Sequence, residues 1–291
     1  MRIGLVLSGG GIKGIAHAGV LQCLQDYGID IDLIGGTSSG SIVAMLYGMG
    51  YAPKEIYNIF KKYAKEIIGI NKGYIIKGIK GAIFKRKLEL KGLNKGDKLE
   101  KIFKKLGDRV NCNNIQDIKN IIIAIPTLNI IKEQKCIFTN CSQIDKKEGN
   151  IEYIRNIEIS KAVRASSSFP GIFSPCEYKE YLFLDGGAID NTPVNEIRKC
   201  GSDKIITVNF KEDKLKEKYN VLDVAAKTID IMCLAMNKDN LKSSDITIEV
   251  NTNNTGLLDT KRIDECYKAG YEATIKKISQ IKLVIAQVIN A

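Results

Sequence analysis

The stretch Leu33-Ile34-Gly35-Gly36-Thr37-Ser38-Ser39-Gly40-Ser41-Ile42-Val43-Ala44-Met45-Leu46 decides how this chain is read. Residues 31–34 are a short, mostly apolar run leading into glycines, which reads as a buried strand. Residues 42–46 carry no polar side chain and read as a helix buried on nearly every side. Between them, Gly36-Thr37-Ser38-Ser39-Gly40 matches G-x-S-x-G, the strand–turn–helix elbow that lifts a serine out of a sheet. The flanking glycines, Gly36 and Gly40, allow a turn too tight for a Cβ, and Ser38 becomes the candidate nucleophile. A Gly/Ser-rich turn without chemistry is the competing reading at this point. Residues 33–53 carry no charge and are long enough to suggest a membrane span, but their glycine, threonine and serine residues would be costly in lipid. Strand, turn and helix is the better expectation.

Upstream, the apolar run Ile3–Leu7 reads as a strand, and Gly9-Gly10-Gly11-Ile12-Lys13-Gly14 follows it as G-x-G-x-x-G. Ile15, Ala16, Gly19, Val20, Leu21, Leu24 and Tyr27 then keep helical spacing, with Gly28 as its stop. A dinucleotide site would need an acidic residue at the end of the second strand to hold the ribose. Asp30 and Asp32 come before that strand, and its end is Gly35-Gly36-Thr37-Ser38. What survives is physical: a glycine run at a helix N-terminus presents N–H groups to a phosphate or an oxyanion.

An elbow serine needs a base. His17 is the only histidine, so a Ser-His-Asp triad must use it or not exist, and a His-rich metal site is excluded. The other candidate is Asp185, in Leu184-Asp185-Gly186-Gly187 directly after an apolar strand; an ordinary Asp-Gly turn is the alternative.

Along the rest of the chain, helices are expected over residues 53–65, 97–106, 159–165, 194–200 and 222–243, and over most of 260–291. Strands are expected over 121–125, ended by Pro126, over 134–139 as a hairpin partner, and over 181–184, 204–209 and 245–250. Strands alternating with helices predict an α/β fold with a mainly parallel central sheet covered on both faces. Nothing reads as a linker, so one domain over residues 1–291 is expected. Within it, about residues 66–110 form a basic insertion or cap, where glycine recurs at 69, 73, 78, 81, 92 and 96.

The chain has 291 residues, 44% hydrophobic and 26% charged, a balance that excludes wholesale disorder. The net charge of +11 suggests an anionic partner, but the excess is local. Residues 61–105 hold 15 basic and 4 acidic side chains; the remainder holds 29 of each. Apolar Ile75, Ile76, Ile79, Ile83 and Phe84 lie among those lysines, as an interfacial element requires. Peripheral contact with an anionic membrane through residues 61–105 is therefore expected, and a solvated loop is the alternative. No aromatic interleaving or fold motif supports nucleic-acid binding. The eight scattered cysteines form no C-x-x-C, and no signal peptide is evident, which fits a reducing cytoplasm.

Taken together, the three glycine-rich segments resemble the patatin-like phospholipases. That family pairs a Gly-Gly-Gly-x-Lys/Arg-Gly loop with a G-x-S-x-G serine and a later Asp-Gly-Gly or Asp-Gly-Ala aspartate. Ala165-Ser166-Ser167-Ser168-Phe169-Pro170-Gly171-Ile172-Phe173-Ser174-Pro175 is similar to its Ala-Ser-x-Ala-x-Pro-x-x-Phe-x-Pro stretch, with Ser168 where Ala is common. Asp185-Gly186-Gly187-Ala188-Ile189-Asp190-Asn191-Thr192-Pro193 resembles its Asp-Gly-Gly-x-x-x-Asn-x-Pro, and Gly256-Leu257-Leu258-Asp259 resembles a C-terminal element of bacterial members. Residues 66–120 have no counterpart. The resemblance implies a three-layer α/β/α sandwich and a serine acyl hydrolase acting on fatty-acyl esters, phospholipids or lysophospholipids, without metal or cofactor. It further implies Ser38 as nucleophile and Asp185 as base in a Ser-Asp dyad, with Gly9, Gly10 and Gly11 as oxyanion hole. Lys13, Gly14, Gly36, Gly40, Gly186 and Gly187 have supporting places, and His17 is a helix residue without a catalytic part. The alternative from the residues alone is a non-enzymatic anion or nucleotide binder using the glycine loop and the basic segment.

Overall fold

A computed structural model describes residues 1–68, 91–212, 221–257 and 259–289. The chain opens with β1 (Ile3–Leu7), α1 (Ala16–Asp26), β2 (Leu33–Gly36), α2 (Ser39–Gly48) and α3 (Pro53–Ile68). Next come α4 (Asp97–Val110), β3 (Ile122–Asn129), β4 (Gln134–Thr139), β5 (Lys147–Glu148), β6 (Ile151–Ile154) and α5 (Ile159–Ser166). The last part holds β7 (Cys176–Tyr178), β8 (Tyr181–Asp185), α6 (Val194–Lys199), β9 (Lys204–Phe210), α7 (Val221–Lys242), β10 (Ile246–Val250), α8 (Ile263–Ile275) and α9 (Ile278–Ile289).

Ten strands among the described residues make one sheet in the order β10-β9-β1-β2-β3-β4-β6-β5, with β8 paired to β3 and β7 to β8. Its centre, from β10 to β3, is parallel throughout. Such strands must be apolar on both sides, because helices cover both faces. Leu5, Leu7 and Ile34 face a large core built with α1 to α5 and α8. Val6, Leu33 and Ala124 point the other way, into a smaller core closed by Val194 and Ile197 of α6. Two helical layers thus sandwich a mainly parallel sheet, as expected.

One lane of the sheet is shared. On the side of β3 away from β4, β2 pairs parallel up to Gly35↔Ala124. From the opposite end β8 pairs antiparallel, starting at Thr127↔Asp185. The two strands meet end to end, so the chain after β2 and the chain after β8 leave the sheet at one place. This corrects the expectation that β3 stops at Pro126. The proline stands in the gap between the two lane partners, where its missing N–H costs least. Gly186 must pass close over it: a Cβ there would lie 2.2 Å from the Pro126 carbonyl oxygen.

Other boundaries shift for simple reasons. β2 runs two residues later than 31–34 and reaches the elbow glycine itself. β5, β6 and β7 were not expected, being short strands with little apolar alternation. Of the basic segment, α4 is a packed helix with Leu99, Phe103 and Leu106 buried. Residues 69–90, with the proposed interfacial isoleucines and Phe84, lie outside the described residues. Among the described residues no helix is long and apolar enough to cross a membrane.

Candidate active site

Ser38 stands between β2 and α2 with φ 53° and ψ −119°. A non-glycine residue there is strained, and strain of this kind persists only where surrounding structure imposes it. The imposing contacts are visible. The Ser38 N–H donates to Ser166 Oγ at 3.2 Å, and Ser166 Oγ donates to Pro126 O at 2.8 Å. Ser41 Oγ donates to Ser38 O at 2.6 Å. Gly40 is pressed against β1, where a Cβ would lie 2.3 Å from Leu7 O. The turn is therefore an elbow in geometry as well as in sequence, and Ser38 sits at the N-terminus of α2.

The glycine loop follows β1 and begins a short 3-10 turn, Gly11–Ile15, rather than entering a helix directly. Gly9 N–H is taken by Asn191 Oδ1 at 2.9 Å, Ile12 N–H by Leu257 O at 2.8 Å and Lys13 N–H by Gly10 O at 3.2 Å. Gly10 and Gly11 N–H are left as the donors of the loop without a partner among the described residues. His17, fully buried, donates from Nε2 to Ser8 O at 2.8 Å and packs against Phe210. Burial lowers its pKa to about 4, so it is neutral, and it does not line the cavity described below. It braces the root of the loop. Lys13 is buried with its ammonium 5.3 Å from the Phe210 ring centre, beside the loop rather than in the cavity.

Asp185 ends β8 and is 2% exposed. Its Oδ1 accepts the Gly187 N–H at 2.8 Å, and its own N–H donates to Ser168 O at 3.1 Å. Burial raises its pKa to about 7; the Ser38 hydroxyl and the Gly187 N–H pull it back down. Oδ2 is buried without an aligned hydrogen bond. The carboxyl thus keeps one oxygen uncommitted to the scaffold, with the Ser38 hydroxyl close enough to bias its protonation.

Ser38, Asp185, Gly9, Gly10, Gly11 and Gly187 all line one cavity. Its remaining wall is largely apolar, with Ile42, Ile67, Phe169, Ile172, Phe173 and Leu257. The structure thus brings together the serine, the aspartate and the loop. Gly36, Gly40 and Gly186 shape the two turns, and Gly14 packs against Ser39. Among the described residues no group of three or more His, Cys, Asp or Glu is placed to hold a metal.

Sequence reasoning missed several supports. Arg164 is buried with no carboxylate in ion-pair contact among the described residues, donating to Lys95 O, Ser174 O and, at 2.5 Å, Ser168 Oγ; the desolvation lowers its pKa. It joins the chain returning from the basic segment to the loop that holds Asp185. Its place one residue before the Ala165–Pro175 stretch was the only signal. Lys135, Asp190 and Glu196 form a buried ionic cluster beneath Asn191. Nothing in their spacing, across β4, a turn and α6, announces it.

Comparison with known proteins bears on the family and the fold. The model of the family described as "Patatin-like phospholipase" matches residues 5–197. "Lysophospholipase NTE1" of Meyerozyma guilliermondii is 33% identical over 209 residues, covering 71% of this chain. The protein of the same name from Saccharomyces cerevisiae is 32% identical over 208 residues, again covering 71% of this chain. The chain spans only 12% and 11% of the length of these two relatives. Among solved structures, VipD from Legionella pneumophila matches with a TM-score of 0.52 at 16% identity, over 96% of this chain and 67% of that one. Human GIVD cytosolic phospholipase A2, in complex with methyl gamma-linolenyl fluorophosphonate, matches with a TM-score of 0.53 at 12% identity, over 99% of this chain and 59% of that one. At such identity the likeness to these two is one of fold.

Proposed function

The chain belongs to the patatin-like phospholipase family, and from that premise we propose that it is a serine acyl hydrolase of fatty-acyl esters, working through Ser38 and Asp185. The observation that carries the reading is the meeting of an elbow serine, a buried carboxyl with pKa about 7 and a glycine loop in one apolar cavity. Ser38 Oγ attacks the ester carbonyl while Asp185 takes the hydroxyl proton. A carboxylate of ordinary pKa is a weak base for this task; burial brings Asp185 into the range where proton transfer is efficient. The carbonyl oxygen, now carrying the negative charge, accepts from Gly10 and Gly11 N–H, with the α2 N-terminus adding favourable potential. Collapse of the tetrahedral intermediate expels the alcohol, which takes the proton from Asp185 and leaves Ser38 acylated. Water, deprotonated by Asp185, then releases the fatty acid and restores Ser38.

The apolar wall from Ile42 to Leu257 suits an acyl chain. Phospholipids or lysophospholipids are the substrate class we favour, and the names of the fungal relatives agree with the second. The basic segment 61–105 is the proposed contact with an anionic membrane; Ile67, at its described N-terminal end, lines the cavity, and Asn94 bridges to cavity-lining Phe173 at its other end. The test is covalent labelling by a fluorophosphonate together with fatty-acid release from a phospholipid and lysophospholipid panel. Both are expected to vanish in Ser38→Ala, and full activity in that variant would overturn the reading.

A further inference from the structure

We propose that Lys135 is a positioning residue of the active site: its ammonium holds two buried carboxylates, Asp190 and Glu196, and through Asp190 fixes the elbow, the aspartate turn and the oxyanion loop relative to one another. The inference rests on the hydrolase reading above and adds to it a group that touches no substrate.

The connections are explicit. Lys135 Nζ lies 2.5 Å from Asp190 Oδ2 and 2.9 Å from Glu196 Oε1, with both carboxylate side chains 1% exposed. Two buried anions on one cation form an assembly that fails if the cation is removed, because a buried unpaired charge is far costlier than the pair is stabilising. Asp190 is tied into three parts of the site. Its carbonyl accepts from Thr37 Oγ1 at 2.8 Å, one residue before Ser38. Its N–H donates to Gly186 O at 2.7 Å, one residue after Asp185. Its neighbour Asn191 accepts the Gly9 N–H at 2.9 Å. A shift of Asp190 therefore moves Ser38, Asp185 and Gly9 together, and displacements of about 1 Å in such constellations cost on the order of 100-fold in rate.

The surroundings of Asp190 set how the site answers to pH when Lys135 is lost. On β4 it faces Lys135, on α6 Glu196, and on α7 Asn240, whose Nδ2 donates to Asp190 Oδ1 at 3.2 Å. Tyr153 on β6 donates to Glu196 Oε2 at 2.7 Å and connects outward to Glu148 on β5 and Lys199 on α6. Burial raises the Asp190 pKa, Lys135 opposes this, and Glu196 adds to the rise. Without the ammonium, nothing opposes the effect of burial on Asp190, so its carboxyl is expected to hold its proton to higher pH than in the wild type and, once ionised, to be a buried charge without its cation.

Kinetics on a soluble short-chain ester test this. Lys135→Met is expected to lower kcat about 100-fold with KM within about twofold of wild type, and to add a falling alkaline limb to the pH profile. Lys135→Arg, which keeps the charge, and Lys135→Met/Asp190→Asn, which removes with the cation the buried anion whose backbone makes the ties and leaves Glu196 to the Tyr153 hydroxyl, are expected to regain at least tenfold and to lack that limb. Amide hydrogen exchange over residues 8–12 and 186–192 reads the anchoring directly. It is expected to quicken in Lys135→Met at alkaline pH and to recover in the double variant. Should Lys135→Met not fold, the arginine and double variants still decide the matter through their pH profiles. Wild-type kinetics and exchange in Lys135→Met, or no recovery in the double variant, would overturn the proposal. Absence of Ser38-dependent hydrolysis in the wild type would instead overturn the hydrolase reading, and the exchange measurement would still judge Lys135.

Discussion

Asp185→Asn is expected to make the protein more stable and inactive at once. The side chain is isosteric and keeps an acceptor for the Gly187 N–H, so the fold loses little. What changes is the charge. In the unfolded chain Asp185 ionises at an ordinary 3.8; in the fold its pKa is about 7. A folded pKa raised above the unfolded one means the folded state binds the proton more tightly. Stability from this group is therefore full at acid pH and is lost as pH rises between the two values. At pH 8 the wild type has given up roughly 4 kcal/mol on this account, and about 2 kcal/mol at pH 5. Asparagine gives up none. Urea unfolding at pH 8 and pH 5 is the assay: the variant's advantage is expected to approach 4 kcal/mol at pH 8 and to shrink by about 2–3 kcal/mol at pH 5. In parallel, wild-type kcat/KM on a soluble ester is expected to be half-maximal near pH 7 and about 100-fold below its plateau at pH 5. A variant no more stable than wild type at pH 8, or a flat activity profile from pH 5 to pH 8, would refute the assignment of Asp185 as a buried, poised base.

Asn191→Ala leaves the Gly9 N–H without its acceptor and is expected to lower kcat on a soluble ester by about 10–100-fold with little change in KM. His17→Phe removes the brace on Ser8 O; a lower melting temperature with activity within about tenfold of wild type is expected, whereas a triad histidine would cost orders of magnitude more. In co-sedimentation with vesicles, anionic lipid is expected to retain the protein and neutral lipid not, with salt weakening the binding; equal partition would count against the basic segment as a membrane contact.

Much of the fold was legible because the central parallel strands are short, largely apolar runs, β1 and β2 running into glycines, and covering helices such as α1 and α4 keep a periodic apolar face. The elbow was legible for a related reason: Gly36 and Gly40 stand where no Cβ fits, and sequence records such constraints directly. The Pro126 boundary misled because a proline is forbidden only where a partner needs its N–H, and the partner pattern is a tertiary fact. The same limit hid Lys135, Asp190 and Glu196, whose meeting depends on how β4 and α6 are placed. Asp185 was visible as a candidate, but its elevated pKa comes from burial, which no local pattern encodes. The family resemblance, rather than any local pattern, implied that His17 is a helix residue without a catalytic part, while its hydrogen bond to Ser8 O required the loop to curl back on α1.

The shared lane beside β3 has a consequence for the life of the protein before it is finished. Ser38 arrives at the meeting point from the first strands made, and Asp185 from a strand made much later. Until β8 has emerged and inserted antiparallel against β3, Ser38 lacks the carboxyl proposed as its proton acceptor. Pairing between segments so distant in the chain is slow to form, since loop closure must precede any gain from contact. On the proposed mechanism, a nascent or truncated chain ending before β8 would carry an elbow serine without its base. If Ser38 and Asp185 act as the proposed dyad, hydrolytic competence arrives only once β8 has joined the sheet.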